Sequence, residues 1–210
     1  TRCHRVSWAR DVYKRQKLMC TAKITTEKKL LIFTNIGKVY SIHANKLKIK
    51  NNDFEPIRKY LNLTQDEYIF HVKEYSLDGP DLILISKEGK GMISKQKEML
   101  TSTRNCKVVM NLSRGVSVCA VRQVSGSHIA VISDSGNLLV FSHGDIKRLS
   151  RGSGIIFQNL KNGTIIDIAS ANPNEVINLV NKNTSRSVIK IDTSDFLGER
   201  GRIGKSLKLR

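Results

Sequence analysis

The sequence predicts an all-β protein built as a propeller-like array of about four four-stranded blades, closed or left as an incomplete ring. Three observations predict it. An apolar strand, a polar turn and a second apolar strand recur four times. A separate marker, Asn-Leu, recurs between these copies with nearly the same period. Helical periodicity is scarce, with only residues 54–61 and 95–101 able to hold a turn or two.

The strand–turn–strand copies read LLIFTNIGKVYSI at 30–42, LILISKEGKGMIS at 82–94, IAVISDSGNLLVF at 129–141 and, degenerate, VINLVNKNTSRSVIKI at 176–191. The turn glycines Gly37, Gly89 and Gly136 are 52 and 47 residues apart; in the fourth copy Thr184 and Ser185 stand in that place. A tight hairpin needs a residue that tolerates positive φ, which glycine does without a Cβ clash. The flanks are rich in the β-branched and aromatic residues that suit strands. Alternation along them nominates Leu31, Phe33, Val39, Leu84, Ile93, Ile132, Leu139, Phe141, Val180 and Ile189 as core.

The second marker falls at Asn62-Leu63, Asn111-Leu112 and Asn159-Leu160, spaced 49 and 48 residues, each expected to close a short strand. Each is followed by a turn and an apolar strand: EYIFHV at 67–72, VSVCAV at 116–121 and TIIDIA at 164–169. Four short strands per 40–50 residues cannot bury both sheet faces alone, so neighbouring units must stack.

Residues 1–16 fit none of this. TRCHRVSWARDVYKRQ lacks strand alternation and holds the lone Trp8. It reads as a non-native or linker segment, with the protein expected to begin before it. The repeat domain is expected over 17–197, and 198–210 forms a basic C-terminal tail.

The chain has 210 residues, 40% of them hydrophobic and 26% charged, a globular composition with enough length for a buried core. No apolar run approaches 18 residues and no charged segment leads into a secretory core, so a membrane partner is not expected. Cys3, Cys20, Cys106 and Cys119 are scattered without a CxxC pair, which fits reduced thiols in a cytoplasmic protein better than disulfides or a metal site. There is no P-loop, dinucleotide fingerprint, zinc-protease helix or nucleophile elbow, and His4, His43, His71, His128 and His143 show no ligand spacing. The acid pairs Asp66-Glu67 and Asp78/Asp81 fall in turns and read as surface chemistry. A binding module is therefore expected before a catalyst.

Lys+Arg number 36 against 18 Asp+Glu, a net +18. The ends contribute heavily, but the stretch between them remains at +9, so a polyanion is the expected partner. The basic residues recur at matched places. Lys38 and Lys90 follow the first two turn glycines, a pattern that lapses at Asn137. The connectors before each Asn-Leu carry Lys46, Lys48, Lys50, Arg58 and Lys59; then Arg104 and Lys107; then Lys147, Arg148 and Arg151. In a radial stack these would share one rim and neutralise the phosphates of a bent duplex. Ser150 to Gly154 is small enough for the backbone to approach phosphate. Aromatic residues are only 6%, without a stacking pattern, and no recognition helix is expected, so shape and charge would dominate over base reading. The expected phosphate contacts are Lys38, Lys90, Arg104, Lys107, Lys147, Arg148 and Arg151.

These segments, with the connector RLSRGSG and the ending GERGRIGKSLKL, resemble the C-terminal domain of type IIA DNA topoisomerase A subunits over residues 24–210. Gyrase and topoisomerase IV carry such domains. The resemblance implies a β-pinwheel, a ring of hairpin-exchanging blades whose basic rim binds and bends DNA. Gyrase subunits carry in addition a glutamine- and glycine-rich basic box. Ser150–Gly154 and Gly198–Gly204 stand nearest and do not match it, so the likeness is greater to the topoisomerase IV type of domain than to the gyrase type. The resemblance implies non-sequence-specific binding of double-stranded DNA and its presentation for supercoil relaxation and decatenation. Its partners would be the A-subunit core and an ATPase B subunit in a bacterial, nucleoid-associated enzyme. Mg²⁺ and ATP would act through other parts of that enzyme, with no cofactor and no metal in this fragment. Tyr13, Tyr40, Tyr60, Tyr68 and Tyr75 lack the arginine neighbour of the family's cleavage motif, so no catalytic residue is expected. The rival readings are a WD40-like propeller acting as a protein-interaction scaffold, an RNA-binding module and, last, an enzyme. The scaffold predicts weak, salt-insensitive DNA binding. Structured RNA competing with duplex DNA would mark the RNA reading.

Overall fold

A computed structural model describes residues 4–7, 21–25, 27–47, 49–50, 53–54, 56–101, 105–180 and 188–207. The chain opens with an antiparallel pair, β1 (His4–Ser7) and β2 (Thr21–Ile24). The first hairpin is β3 (Lys29–Thr34) and β4 (Lys38–His43), followed by β5 (Ile49–Lys50), β6 (Asp53–Phe54) and β7 (Ile69–Glu74). The second is β8 (Leu82–Ser86) and β9 (Lys90–Ser94), followed by β10 (Lys107–Val108) and β11 (Val118–Gln123). The third is β12 (His128–Ser133) and β13 (Asn137–Ser142), followed by β14 (Ile155–Ile156) and β15 (Ile165–Ala171). The fourth is β16 (Val176–Val180) and β17 (Val188–Asp192), and β18 (Lys205–Ser206) comes last. The helical turns are short 3₁₀ segments, among them Ile57–Lys59 and Gln96–Met99, inside the two stretches where the sequence allowed a turn.

Among the described residues three four-stranded antiparallel sheets result, with one topology. Their orders are β10-β4-β3-β7, β14-β9-β8-β11 and β18-β13-β12-β15. In each, the hairpin sits in the middle, the next long strand flanks its first arm, and a two-residue strand from the following repeat flanks its second arm. The incoming register repeats residue for residue: Lys107 opposes Val39, Ile155 opposes Gly91 and Lys205 opposes Leu138, each two residues past a turn glycine. The fourth copy is the hairpin β16–β17, a two-stranded sheet. In the first Asn-Leu copy the 3₁₀ turn at Ile57–Lys59, which the sequence allowed within 54–61, stands where the other two copies have a two-residue strand before the asparagine.

The turn glycines explain why the exchange is accurate. Gly37, Gly89 and Gly136 have φ of +75°, +84° and +77°. Each N–H closes a turn on the residue three back, at 3.0–3.1 Å to Thr34, Ser86 or Ser133 oxygen. Each carbonyl then accepts the incoming strand: Gly37 from Val109 and Met110, Gly89 from Phe157 and Gln158, Gly136 from Leu207. A Cβ on Gly37 would lie 2.1 Å from the Met110 oxygen, and one on Gly89 2.3 Å from the Gln158 oxygen. Glycine is demanded there by backbone handedness and by the neighbouring strand together.

The chain forms two compact units. One comprises Thr1–Gly79, Ser94–Val118 and Leu149–Gly152; the other comprises Pro80–Ile93, Cys119–Arg148 and Ser153–Arg210. The first unit's core gathers Leu30, Ile32, Tyr40, Ile42, Leu61 and Val72 around the first sheet. In the second unit Ile83, Ile85 and Ile93 meet Ile129, Val131, Leu139, Phe141 and Phe157 between the second and third sheets. The third sheet's other face, with Ala130, Leu138 and Val140, packs on Ile177, Leu179 and Ile191 of the fourth hairpin.

Leu31, Phe33, Val39, Leu84, Ile93, Leu139 and Phe141 are buried as expected, and Ile132 is half-buried. Val180 and Ile189 are not core: they are 58% and 40% exposed. The fourth hairpin is covered on one face only, and that face belongs to Ile177, Leu179 and Ile191. Val180 alternates onto the opposite side, and Ile189 lies towards the hairpin's tip. Thr184 and Ser185 lie outside the described residues. The basic segment 198–207 does not hang apart from the fold. It supplies β18, and it matches 148–157 closely: the N–H of Asn111 bonds Gly152 oxygen at 2.8 Å as that of Asn159 bonds Arg202 oxygen at 3.0 Å.

Candidate nucleic-acid interface

The hairpin lysines have identical positions in the repeat and different surroundings. Lys38 is the first residue of β4, and its Nζ lies 3.2 Å from Glu67 Oε2. The Glu67 side chain has no exposure and that of Lys38 has 21%. Glu67 also accepts from the Thr64 N–H at 3.2 Å and the Thr64 hydroxyl at 3.3 Å. Arg58 clamps the turn that carries it, donating to the oxygens of Thr64 and Glu67. Burial pushes the Glu67 carboxyl up, but the bonds from Thr64 and the Lys38 ammonium outweigh it, and the group sits below the ordinary glutamate range. Close by, Tyr40 donates to Asn62 oxygen at 2.8 Å, and burial together with the Glu67 charge raises its phenol well above the ordinary value. Glu67, expected as surface chemistry, is thus a buried counter-ion. The sequence sets it 29 residues from its partner.

At the matched place in the second sheet, Lys90 starts β9 with a half-exposed side chain. Its neighbour is Glu88, 3.6 Å away and equally exposed, a loose solvent-screened pair. Five residues past each Asn-Leu asparagine stand Glu67, Val116 and Thr164, so only the first repeat carries an acid there.

The incoming strands carry the next group. Lys107 of β10 donates its ammonium to Glu98 oxygen, in the 3₁₀ turn Gln96–Met99. Lys205, at the same register position of β18, donates at 2.6 Å to Asp195 oxygen in the matching turn Thr193–Phe196. These two lysines tie a short strand to the turn beside it. Ile155 takes that register position in β14 and is 38% exposed.

The connector before β14 presents cations more openly. Lys147 is exposed, with no ion pair among the described residues. Arg148 is held by Nε to Asp81 Oδ2 at 3.1 Å and by Nη1 to Ile146 oxygen at 3.1 Å. Exposed Arg151 is oriented through Nε by Asn111 Oδ1 at 3.2 Å, and among the described residues its terminal amino groups bond nothing further. The Asn-Leu marker thus positions a cation as well as closing a strand. Arg104 lies outside the described residues. Sequence reasoning missed Lys87, Lys97, Arg114 and Lys161, all exposed; they lie in turns that the connector pattern passed over. Among the described residues no group of three or more His, Cys, Asp or Glu could hold a metal ion, and no helix is long and apolar enough to cross a membrane. His143 is buried, with Nε2 2.5 Å from Gly126 oxygen.

A chain of four-stranded sheets, each lending its edge strand to the repeat before it, defines the class: a β-pinwheel of the kind found in topoisomerase C-terminal domains. Residues 28–53 and 127–172 match the family model described as the DNA gyrase C-terminal domain, β-propeller. The A subunit of DNA topoisomerase 4 from Rickettsia bellii is 28% identical over 184 residues, covering 86% of this chain and 24% of the relative. Its counterpart from Caulobacter vibrioides is 30% identical over 148 residues, covering 70% and 19%. The E. coli ParC C-terminal domain superposes with a TM-score of 0.78 at 19% identity, covering 92% of this chain and 82% of that one. A DNA gyrase A C-terminal domain gives 0.73 at 22% identity, covering 95% and 66%. The chain is similar to the C-terminal domains of type IIA topoisomerase A subunits, and the curated relatives it matches are bacterial subunits of topoisomerase IV, of whose length it spans about a quarter.

Proposed function

We propose that this domain binds double-stranded DNA through its phosphates, without reading sequence, and bends it. On this reading it presents the duplex to the core of a topoisomerase IV-type enzyme for supercoil relaxation and decatenation. That enzyme would work in the bacterial cytoplasm at the nucleoid, with Mg²⁺ and an ATPase B subunit engaged elsewhere in the assembly. The observation that carries the reading is the connector Lys147–Arg151, with three cations in five residues, two of them held in place by Asp81 and Asn111. Arg151, fixed through Nε, keeps both terminal amino groups for an outside oxygen, and Arg148, whose Nη1 donates to Ile146 oxygen, keeps Nη2, a geometry suited to phosphate. The phosphate contacts proposed from the sequence set are Lys90, Lys147, Arg148 and Arg151, joined by Arg104. No long helix occurs among the described residues that could enter a groove, which supports backbone contact over base reading.

The test is duplex affinity against salt. Each phosphate contact contributes about −0.9 to the slope of log K on log salt. Replacing Lys147 and Arg151 together with Ala should flatten the slope by about two. An unchanged slope removes that connector from the interface, and weak, salt-insensitive binding by the unaltered protein would favour a protein-interaction scaffold.

A further inference from the structure

Resting on that reading, we infer that Glu67 acts as an internal substitute for phosphate, withdrawing Lys38 from the DNA-binding set, so that the first sheet's hairpin is silent towards DNA while the matched hairpin of the second sheet engages it through Lys90. Three observations carry this. Lys38 and Lys90 occupy one position of the repeat, immediately after a turn glycine and at the start of a central strand. Lys38 is engaged by a carboxylate with no solvent exposure, which Thr64 holds from two sides and Arg58 fixes through its backbone. By strand register the matched positions in the other repeats are Val116 and Gly163, neither of which can neutralise a lysine.

Competition with DNA is unequal. To reach a phosphate, Lys38 would have to leave Glu67 buried and uncompensated, and an unpaired buried carboxylate is penalised more heavily than one solvent-exposed phosphate contact returns. The other donors at the carboxylate, Thr64 and the nearby hydroxyls of Thr34 and Tyr40, are neutral, so they leave its charge uncompensated when the ammonium departs. Lys90 faces no such penalty, because its neighbour Glu88 is in solvent and loses little when the lysine departs. The acid in the first repeat therefore decides which copies of a common hairpin touch the duplex.

The experiment measures duplex DNA affinity from 50 to 200 mM salt for four proteins with verified thermal unfolding. The Lys90→Met variant should flatten the slope by about 0.9, so the affinity ratio across that range shrinks about 3.5-fold. The double variant Lys38→Met/Glu67→Gln, which removes both charges together and leaves no orphaned acid, should keep the slope of the unaltered protein. Glu67→Val, which writes the second repeat's residue into the first, should free Lys38 and steepen the slope by about 0.9. The inference is overturned if the double variant flattens the slope as Lys90→Met does, or if folded Glu67→Val leaves it unchanged. Should Glu67→Val fail to fold, the double variant still decides. A flat slope in the unaltered protein would instead defeat DNA binding itself, so the two failures are distinct.

Discussion

Replacing Gly89 and Gly136 separately with Ala isolates the contribution of strand exchange. Both glycines close a hairpin turn and have nearly the same φ, +84° and +77°. An L-residue in that conformation is disfavoured by about 1–2 kcal/mol, common to both variants. At Gly136 an added Cβ meets nothing within 4 Å, so that term is the whole effect. At Gly89 the Cβ would lie 2.3 Å from Gln158 oxygen, and the incoming strand must retreat by about an ångström to reach ordinary contact. That retreat breaks the bonds from Phe157 and Gln158 N–H to Gly89 oxygen, now 2.8 and 3.3 Å, each worth about 1 kcal/mol net. It also shifts the fully buried Phe157 ring, which meets Phe141 edge-on at 5.4 Å between centroids. Gly89→Ala should therefore destabilise by about 2 kcal/mol more than Gly136→Ala. Urea unfolding at 25 °C measures the difference. Two variants within about 0.5 kcal/mol of each other, at equal m-value, would show that the exchanged strand yields freely and would refute the packing argument.

Two further outcomes follow from the buried groups. The folded Glu67 carboxyl titrates below its unfolded value, so its stabilisation is complete above that value, about pH 4.3, and is lost as pH falls through the folded value. Urea midpoints measured between pH 5 and 3 should fall more steeply for the unaltered protein than for Glu67→Gln; parallel curves would remove Glu67 as the source. Burial and the nearby Asp167 push the Cys119 thiol up to about 12, and its sulfur lies 3.5 Å from Ile85 oxygen. Iodoacetamide at pH 8 should leave Cys119 unmodified in the folded protein and label it in urea, as read by peptide mass mapping; rapid folded-state labelling would contradict this.

The hairpins were legible because their signals are local. A turn glycine, a polar tip and two apolar flanks lie within thirteen residues, and Leu31, Phe33, Val39, Leu84, Leu139 and Phe141 are buried where alternation put them. Alternation failed at Val180 because valines and isoleucines occur on both faces of the fourth hairpin, and only stacking against Ala130, Leu138 and Val140 decides which face is inside. In β8 all five residues are buried, so period two has nothing to report there. The exchanged strands were illegible for another reason. A two-residue strand has no period, and its partner lies 68 residues away at Lys107–Val39. The same distance problem hid the fate of Lys38.

Counting positive charge and counting phosphate contacts are therefore different operations in this fold. Strand exchange delivers a lysine to the same register position at Lys107 and Lys205, and in both places a 3₁₀ turn offers its third carbonyl to the ammonium. Such a lysine recurs with the repeat because it fastens the repeat, and recurrence alone cannot distinguish it from one that recurs to meet DNA. Lys38 shows the same ambiguity in another form, a matched position whose charge is already neutralised. The connector 147–151 differs because the next incoming residue is Ile155, which cannot make the tie, and the nearby cations are held by side chains that leave them facing solvent. A net charge of +18 draws the chain towards any polyanion. The partners already taken inside each repeat decide how many of those charges a phosphate can reach.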